Sequence, residues 1–236
     1  MTDVIPTELF REVQSHIRDR TSHAEEGWEA GSDEEDTLTG DFGGSLRTGW
    51  VDYRKNETGN YWRWRITYKK LRGRGADAPE KETGADGLFQ IEVRPDDERR
   101  VVTKGVIFQA KKFKSSSRSD LLDQIQKMEQ IAPGGSAVFE FGPEGYKGSS
   151  RVDILATAEA THRIPHGQES LAEYLADRFL TCPAGLRDMY YDALRHRLII
   201  PTAQGTKIVE LRLRHRIDVE VRHNRRQATS GERQFE

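Results

Sequence analysis

Cysteine is nearly missing from this sequence: Cys182 stands alone among 236 residues. A single thiol excludes an internal disulfide and a cysteine-rich zinc site, so Cys182 reads as an ordinary buried thiol without a role. No apolar run approaches the length that a bilayer span requires, and the opening "MTDVIPTELF" has neither the basic start nor the apolar stretch of a secretion signal. The expectation is a cytoplasmic protein with no membrane association. A glycine-rich phosphate loop followed by Lys-Ser or Lys-Thr is missing as well, which argues against nucleotide hydrolysis by this chain. Energy or sensing would then come from a separate sensor or ATPase subunit. His162 and His166 have the spacing of a helical metal pair, but "THRIPHG" carries Pro165 and lacks the neighbouring glutamate of a zinc hydrolase, so they read as loop residues.

What the chain does have is charge, and the charge is segregated. Hydrophobic residues make up 35% and charged residues 32%, polar for a globular chain but sufficient for a core at this length. The net charge of -2 conceals an acidic stretch, residues 21–46, with eight acids and no Lys or Arg. Two basic stretches follow: residues 54–75 hold eight Lys or Arg against Glu57, and residues 99–118 hold seven with no acid. Clustered cations suit a polyanion, which favours nucleic acid as the partner.

Periodicity sketches the elements. "PTELFREVQSHIRDR" predicts a short helix with Leu9, Val13 and Ile17 on one face, and the acidic stretch to Gly49 reads as a loop or a broken helix. "SLRTGWVDY" and "YWRWRITYKKL" predict a hairpin in which Trp62, Trp64, Ile66 and Tyr68 alternate with Arg63, Arg65, Thr67 and Lys69, the tryptophans reading as core. "TGADGLFQIEV" and "KGVIFQAKKF" predict two strands, residues 118–131 a helix, and "SAVFEFG" a further strand. In the remainder, "RVDILAT" predicts a strand, "ESLAEYLADRFL" and "AGLRDMYYDALRHRL" amphipathic helices, and "IVELRLRHRIDVEV" one alternating strand or arm with Val209, Leu211, Leu213, Ile217, Val219 and Val221 on one face. The tail from about His223 reads as frayed.

The two strands after Gly84 bring polar groups together. If they pair antiparallel, setting Asp86 opposite Gln109 puts the turn between Asp97 and Glu98, and setting it opposite Lys111 puts the turn between Glu98 and Arg99. Both midpoints fall in "RPDDERR", the turn-like stretch available. Alternation places Gln109 and Lys111 on one face, with Val106, Phe108 and Ala110 on the other, under the helix of residues 118–131.

An aspartate at the start of one strand, then Gln109-Ala110-Lys111 at the end of the next, then a helix and a strand, resembles the PD-(D/E)XK nuclease superfamily over roughly residues 30–142. Gln109 stands where that superfamily usually has Glu or Asp, a variant familiar among restriction-type and anti-phage nucleases. The resemblance implies an α/β protein with a restriction-endonuclease-like core, a mixed central sheet flanked by helices, in residues 1–150. Residues 151–236 would form an α+β C-terminal extension of helices and a β-arm packed on that core. It also implies a Mg2+-dependent DNA endonuclease, with Mn2+ as a substitute, acting in bacterial defence as a homodimer or higher oligomer. A repair nuclease on branched or single-stranded DNA and an inactive nucleic-acid-binding module are the alternatives.

The resemblance assigns roles residue by residue. Asp86 would be the anionic metal ligand, Gln109 would add its amide oxygen and Ala110 its carbonyl, and Lys111 would orient water and balance phosphate charge. A further acid from the preceding helix would be Glu35, with Glu34 second; Ser32 and Glu35 equally fit a capping box. Arg63, Arg65, Lys69, Lys70, Lys112 and Lys114 would hold the DNA backbone.

Overall fold

The structure is a computed structural model that describes residues 4–31, 34–53, 61–71, 83–95, 101–113, 120–150, 153–154, 169–181 and 183–224. Cys182, Ser32, Lys114, His162, His166 and the turn at residues 96–100 lie outside the described residues.

Helix α1, Thr7–Glu26, is longer than its first apolar stripe suggests, because Thr21 and Ala24 continue the buried face of Leu9, Val13 and Ile17 until Gly27 ends it. The acidic, glycine-rich stretch is a broken helix: α2, Trp28–Gly31, then α3, Glu35–Leu46. Gly43 sits inside α3 for a packing reason, since a Cβ there would lie 2.4 Å from the Tyr68 ring. That close approach seats α3 on the strands that follow.

Strands β1, Val51–Tyr53, and β2, Tyr61–Lys70, form the expected antiparallel hairpin. After them come β3, Gly87–Arg94, β4, Val102–Lys112, helix α4, Leu121–Ile131, β5, Ser136–Phe141, β6, Lys147–Ser150, and β7, Glu169–Ser170. Helix α5 starts at Leu171–Glu173, where Ser170 and Glu173 make a reciprocal capping box, and continues as the π-helical Tyr174–Phe179. Four short strands close the chain: β8, Leu186–Arg187, β9, Tyr190–Asp192, β10, Arg197–Thr202, and β11, Gly205–Glu210; then comes the long β12, His215–Asn224.

The result is an α/β fold with a mixed central sheet. Its order is β1-β2-β12-β3-β4-β5-β6-β7, with β8 added to β4, while β11-β10-β9 form a separate small sheet. β12 runs parallel to β3 and β4 parallel to β5; the other neighbours are antiparallel. Strands from both sides of residue 150 thus share one sheet, and β12 fills its centre between β2 and β3.

Each face of the sheet has its own core. On the first, Trp64, Phe89, Phe108, Phe139 and Val219 meet Phe42 of α3, Ile17 of α1 and Phe179 of α5. On the second, Leu88, Ile107 and Val138 meet Ile125 and Met128 of α4 and Leu198 and Leu213 from the small sheet and its exit. Burying each such side chain contributes about 1.5–3 kcal/mol.

Four expectations from the sequence are corrected. Val106, Phe108 and Ala110 lie in the first core with α1 and α3, whereas α4 covers the face that carries Ile107 and, farther along β4, Gln109 and Lys111. Residues 184–198 are strands and turns instead of a helix: Asp188 and His196 have φ of 63° and 52°, and the Asp192 side chain accepts the backbone N–H groups of Leu194 and Arg195. Such local bonds divert the backbone from helix. Asp153 and Ile154 are helical, not extended, with Asp153 Oδ2 accepting the Ser150 hydroxyl at 2.7 Å. The alternating arm of residues 209–221 breaks at 211–214, so Leu211 and Leu213 enter the second core while Ile217, Val219 and Val221 enter the first.

Candidate active site

A turn delivers Asp86 to the sheet. Gly84 adopts φ of 71° against α4, where a Cβ would meet the Gln124 carbonyl at 2.3 Å, so glycine alone lets the chain pass. The Asp86 N–H then donates to the Phe108 carbonyl at 2.9 Å, one step beyond the pair Gly87 and Phe108. Of the two registers open in the sequence, the one facing Asp86 with Gln109 is the one formed.

The side chains meet. Asp86 Oδ2 accepts from Gln109 Nε2 at 2.5 Å and from the Ala110 N–H at 2.8 Å, and the Ala110 carbonyl accepts from Gln109 Nε2 at 3.1 Å. Lys111 shares the face of Gln109, and the β4–β5 register sets it beside Glu140. Asp86, Gln109, Lys111 and Glu140 are all buried, at 7%, 3%, 4% and 4% exposure. Glu140 went unnoticed in the sequence; the signal was a lone acid in the apolar run "SAVFEF".

β12 supplies the opposite wall. The Asp86 carbonyl accepts from the Arg214 and His215 N–H groups at 2.9 and 3.0 Å, and Arg214 Nη1 lies 4.0 Å from Asp86 Oδ1. In the sequence Arg214 alternates with Arg212 and Arg216 along one stretch, and nothing there ties it to Asp86.

Glu35, at the start of α3, reaches the end of β4, where Oε1 accepts the Lys112 N–H at 3.1 Å. It therefore stands one residue along β4 from Lys111, while Glu34 is exposed. Its neighbour Asp36 serves a different network: Oδ2 meets Lys70 Nζ at 2.6 Å and Oδ1 meets His215 Nε2 at 3.0 Å, with His215 Nδ1 2.9 Å from the Tyr68 hydroxyl. Burial pulls the His215 pKa down to about 4, against the pull of Asp36, and pushes the Tyr68 hydroxyl up to about 12. A neutral His215 then donates from Nε2 to Asp36 and accepts the Tyr68 proton at Nδ1.

The predicted DNA-contacting cations separate. Lys70 and Lys69 lie at the Asp86 end of β2, opposite His215 and Arg216, though Lys70 is engaged by Asp36. Arg65 and Arg63 lie farther along β2, opposite Glu220 and Arg222. Lys112 ends β4.

The groups at Asp86 supply oxygens that suit a hard cation, a carboxylate, an amide and a backbone carbonyl, once the Gln109 amide is turned over, because Nε2 rather than Oε1 faces Asp86 and the Ala110 carbonyl here. Gln109 Oε1 is buried and has no hydrogen-bond partner among the described residues. Leaving such an oxygen unmet costs about 1–3 kcal/mol, and ligation would remove that cost. Among the described residues no three His, Cys, Asp or Glu side chains cluster as a metal-binding group, so the set stands on Gln109 and backbone oxygen beside one carboxylate. No helix among the described residues is long and apolar enough to cross a membrane.

No known family model, curated protein or solved structure matches this chain.

Proposed function

We propose that the chain is a divalent-metal-dependent nuclease of the restriction-endonuclease-like kind that hydrolyses phosphodiester bonds in DNA. The observation that carries this reading is the meeting of Asp86 and Gln109 at 2.5 Å, with Lys111 on the same face two residues on. With the Gln109 amide turned so that Oε1 takes the place of Nε2, Asp86, Gln109 Oε1 and the Ala110 carbonyl would hold Mg2+, or Mn2+ in its place. The cation would neutralise charge on the phosphate and make water a better nucleophile. Lys111 stabilises charge that builds up on the scissile phosphate and orients the attacking water. Arg214 and Glu140 flank the pair and fix the charge around it, and Glu35 ties α3 to the strand end.

A neutral amide in place of a second carboxylate holds a cation less firmly. That feature favours the second reading, a nucleic-acid-binding module without catalysis. Plasmid incubated with Mg2+ or Mn2+ separates the two. Cleavage by the unaltered chain, falling at least about 100-fold in both Asp86→Ala and Lys111→Ala while DNA binding persists, supports the nuclease. Binding without cleavage under either ion supports the module.

A further inference from the structure

The face of β12 that points away from the aromatic core carries cations that the hydrolytic site does not use. We infer that this face is a groove for one extended strand of single-stranded DNA, running from Asp86 to Trp50. The inference rests on the nuclease reading for the site at which the strand starts, and it names the form of substrate delivered there.

The groove is built by register. Along paired β2 and β12 the same face presents Lys69 beside Arg216, Thr67 beside Asp218, Arg65 beside Glu220, and Arg63 beside Arg222, starting from Arg214 at the Asp86 carboxylate. Residues two apart on a strand stand roughly 6.6 Å apart, comparable to successive phosphates of an extended polynucleotide. A single strand laid along β12 therefore meets a cation of β2 or β12 at each of these rungs except that of Asp218 and Thr67. A duplex winds its phosphates away from so straight a row.

Two features give the row a floor and an end. Between the main sheet and the small sheet lies a cavity of about 280 Å³, lined among others by Arg65, Arg94, Arg216, Arg222 and Tyr191. At the far end the half-buried Trp50 has the guanidinium carbons of Arg63, Arg65 and Arg222 at 4.4, 4.5 and 5.1 Å from its ring centroid. Flat guanidinium and indole groups gathered this way form a platform for a base. Acids offset part of the charge: Asp218 pairs with Arg216 at 2.9 Å, Glu92 with Arg94 at 2.5 Å, and Glu220 with both Arg65, at 2.6 Å, and Arg222, at 2.7 Å, so the positive excess lies where two arginines share Glu220, toward Trp50. Nε of Arg63 and of Arg222 is buried with no hydrogen-bond partner among the described residues.

The test measures binding of a fluorescent oligothymidylate in EDTA over a range of salt, beside a hairpin duplex of equal charge. The single strand is expected to bind about tenfold more tightly than the duplex, on the scale of one stacked base. Arg222→Gln should flatten the slope of log affinity against log salt by about 0.7, the share of one phosphate contact, and Arg222→Lys should restore it. Trp50→Leu should lose about tenfold in affinity with the slope unchanged, because stacking releases no counterion. Equal or tighter duplex binding, or an unchanged slope in a folded Arg222→Gln protein, overturns the groove. Without a divalent ion these readouts are independent of cleavage. A chain that never cuts DNA but shows them keeps the groove and loses the nuclease reading, and a nuclease whose Arg222 and Trp50 variants bind normally loses the groove alone.

Discussion

The two faces of the central sheet come from the same strands and obey opposite rules. Along β12, Ile217, Val219 and Val221 enter an aromatic core shared with α1, α3 and α5, while Arg216, Asp218, Glu220 and Arg222 point to the other side. On that second face α4 covers the β4–β5 half with apolar side chains and leaves the β2–β12–β3 half polar. Stability is therefore concentrated on the first face. The second is free to carry chemistry: Asp86, Gln109 and Lys111 sit at its end, where cover by α4 gives way to charge.

The sharpest way to break this comparison is to alter one side chain on each face. Phe139 is fully buried, stacks on Phe108 at 4.3 Å between ring centroids, and touches Phe42 and Tyr174 edge-on. Phe139→Ala should cost about 3–5 kcal/mol in denaturant unfolding, the transfer loss plus the cavity. Arg65→Gln on the second face should cost less than about 1 kcal/mol, since the pair it breaks is partly exposed. Equal losses would mean that the polar face is a second structural core.

Much of this division was legible in the sequence, and the failures have physical causes. The alternation of Trp62, Trp64, Ile66 and Tyr68 with Arg63, Arg65 and Lys69 read correctly as one apolar and one basic face. The meeting of Asp86 with Gln109 followed from counting residues about a turn, because antiparallel pairing fixes a constant sum. Which face α4 would cover did not follow, since Ile107 and Phe108 are equally apolar and the choice depends on the hand of the crossover from β4 to β5. The 184–198 segment misled because Leu186, Met189, Tyr190 and Leu194 mimic a helical stripe, whereas the side-chain bonds of Asp192 and the left-handed Asp188 and His196 decide the backbone. His215 and Arg214 were invisible as site neighbours because they lie far from Asp86 in sequence and β12 reaches it only through the parallel pairing with β3.

The faces also differ in how they respond to acid. β12 buries one group with a displaced pKa toward each: His215 on the first, Asp218 on the second, with burial favouring the uncharged form of both. The ordinary His215 value of 6.5 falls to about 4 in the fold, so the unfolded chain takes up its proton first as pH drops. Stability from this group is complete above about pH 6.5 and lost on the way down to about pH 4, by an amount on the order of 3 kcal/mol. Asp218 works in the opposite sense, because its raised pKa lets the folded state bind a proton before the unfolded one does. The groups around His215 are Asp36, Tyr68, Lys70 and Arg214. Comparing the pH dependence of unfolding in the unaltered chain and in His215→Gln isolates the histidine. The variant should lose the decline between those two pH values that the parent shows; parallel curves would show that His215 is not held neutral by the first face.

The smallest effect tests the second face most selectively. Glu220 is 14% exposed and holds Arg65 and Arg222 through its two oxygens. Glu220→Gln keeps an acceptor in the same place and removes one negative charge from among the arginines, so the fold should change in stability by less than about 1 kcal/mol. The same change leaves two guanidiniums less neutralised beside Trp50. Oligothymidylate should then bind more tightly and with a steeper salt slope, by about 0.7 for each additional phosphate engaged. A stability loss approaching that of Phe139→Ala would identify Glu220 as a structural pin. Unchanged stability with tighter, more salt-sensitive binding would show that the polar half of the sheet holds its charge in reserve for a polyanion, while the aromatic half holds the molecule together.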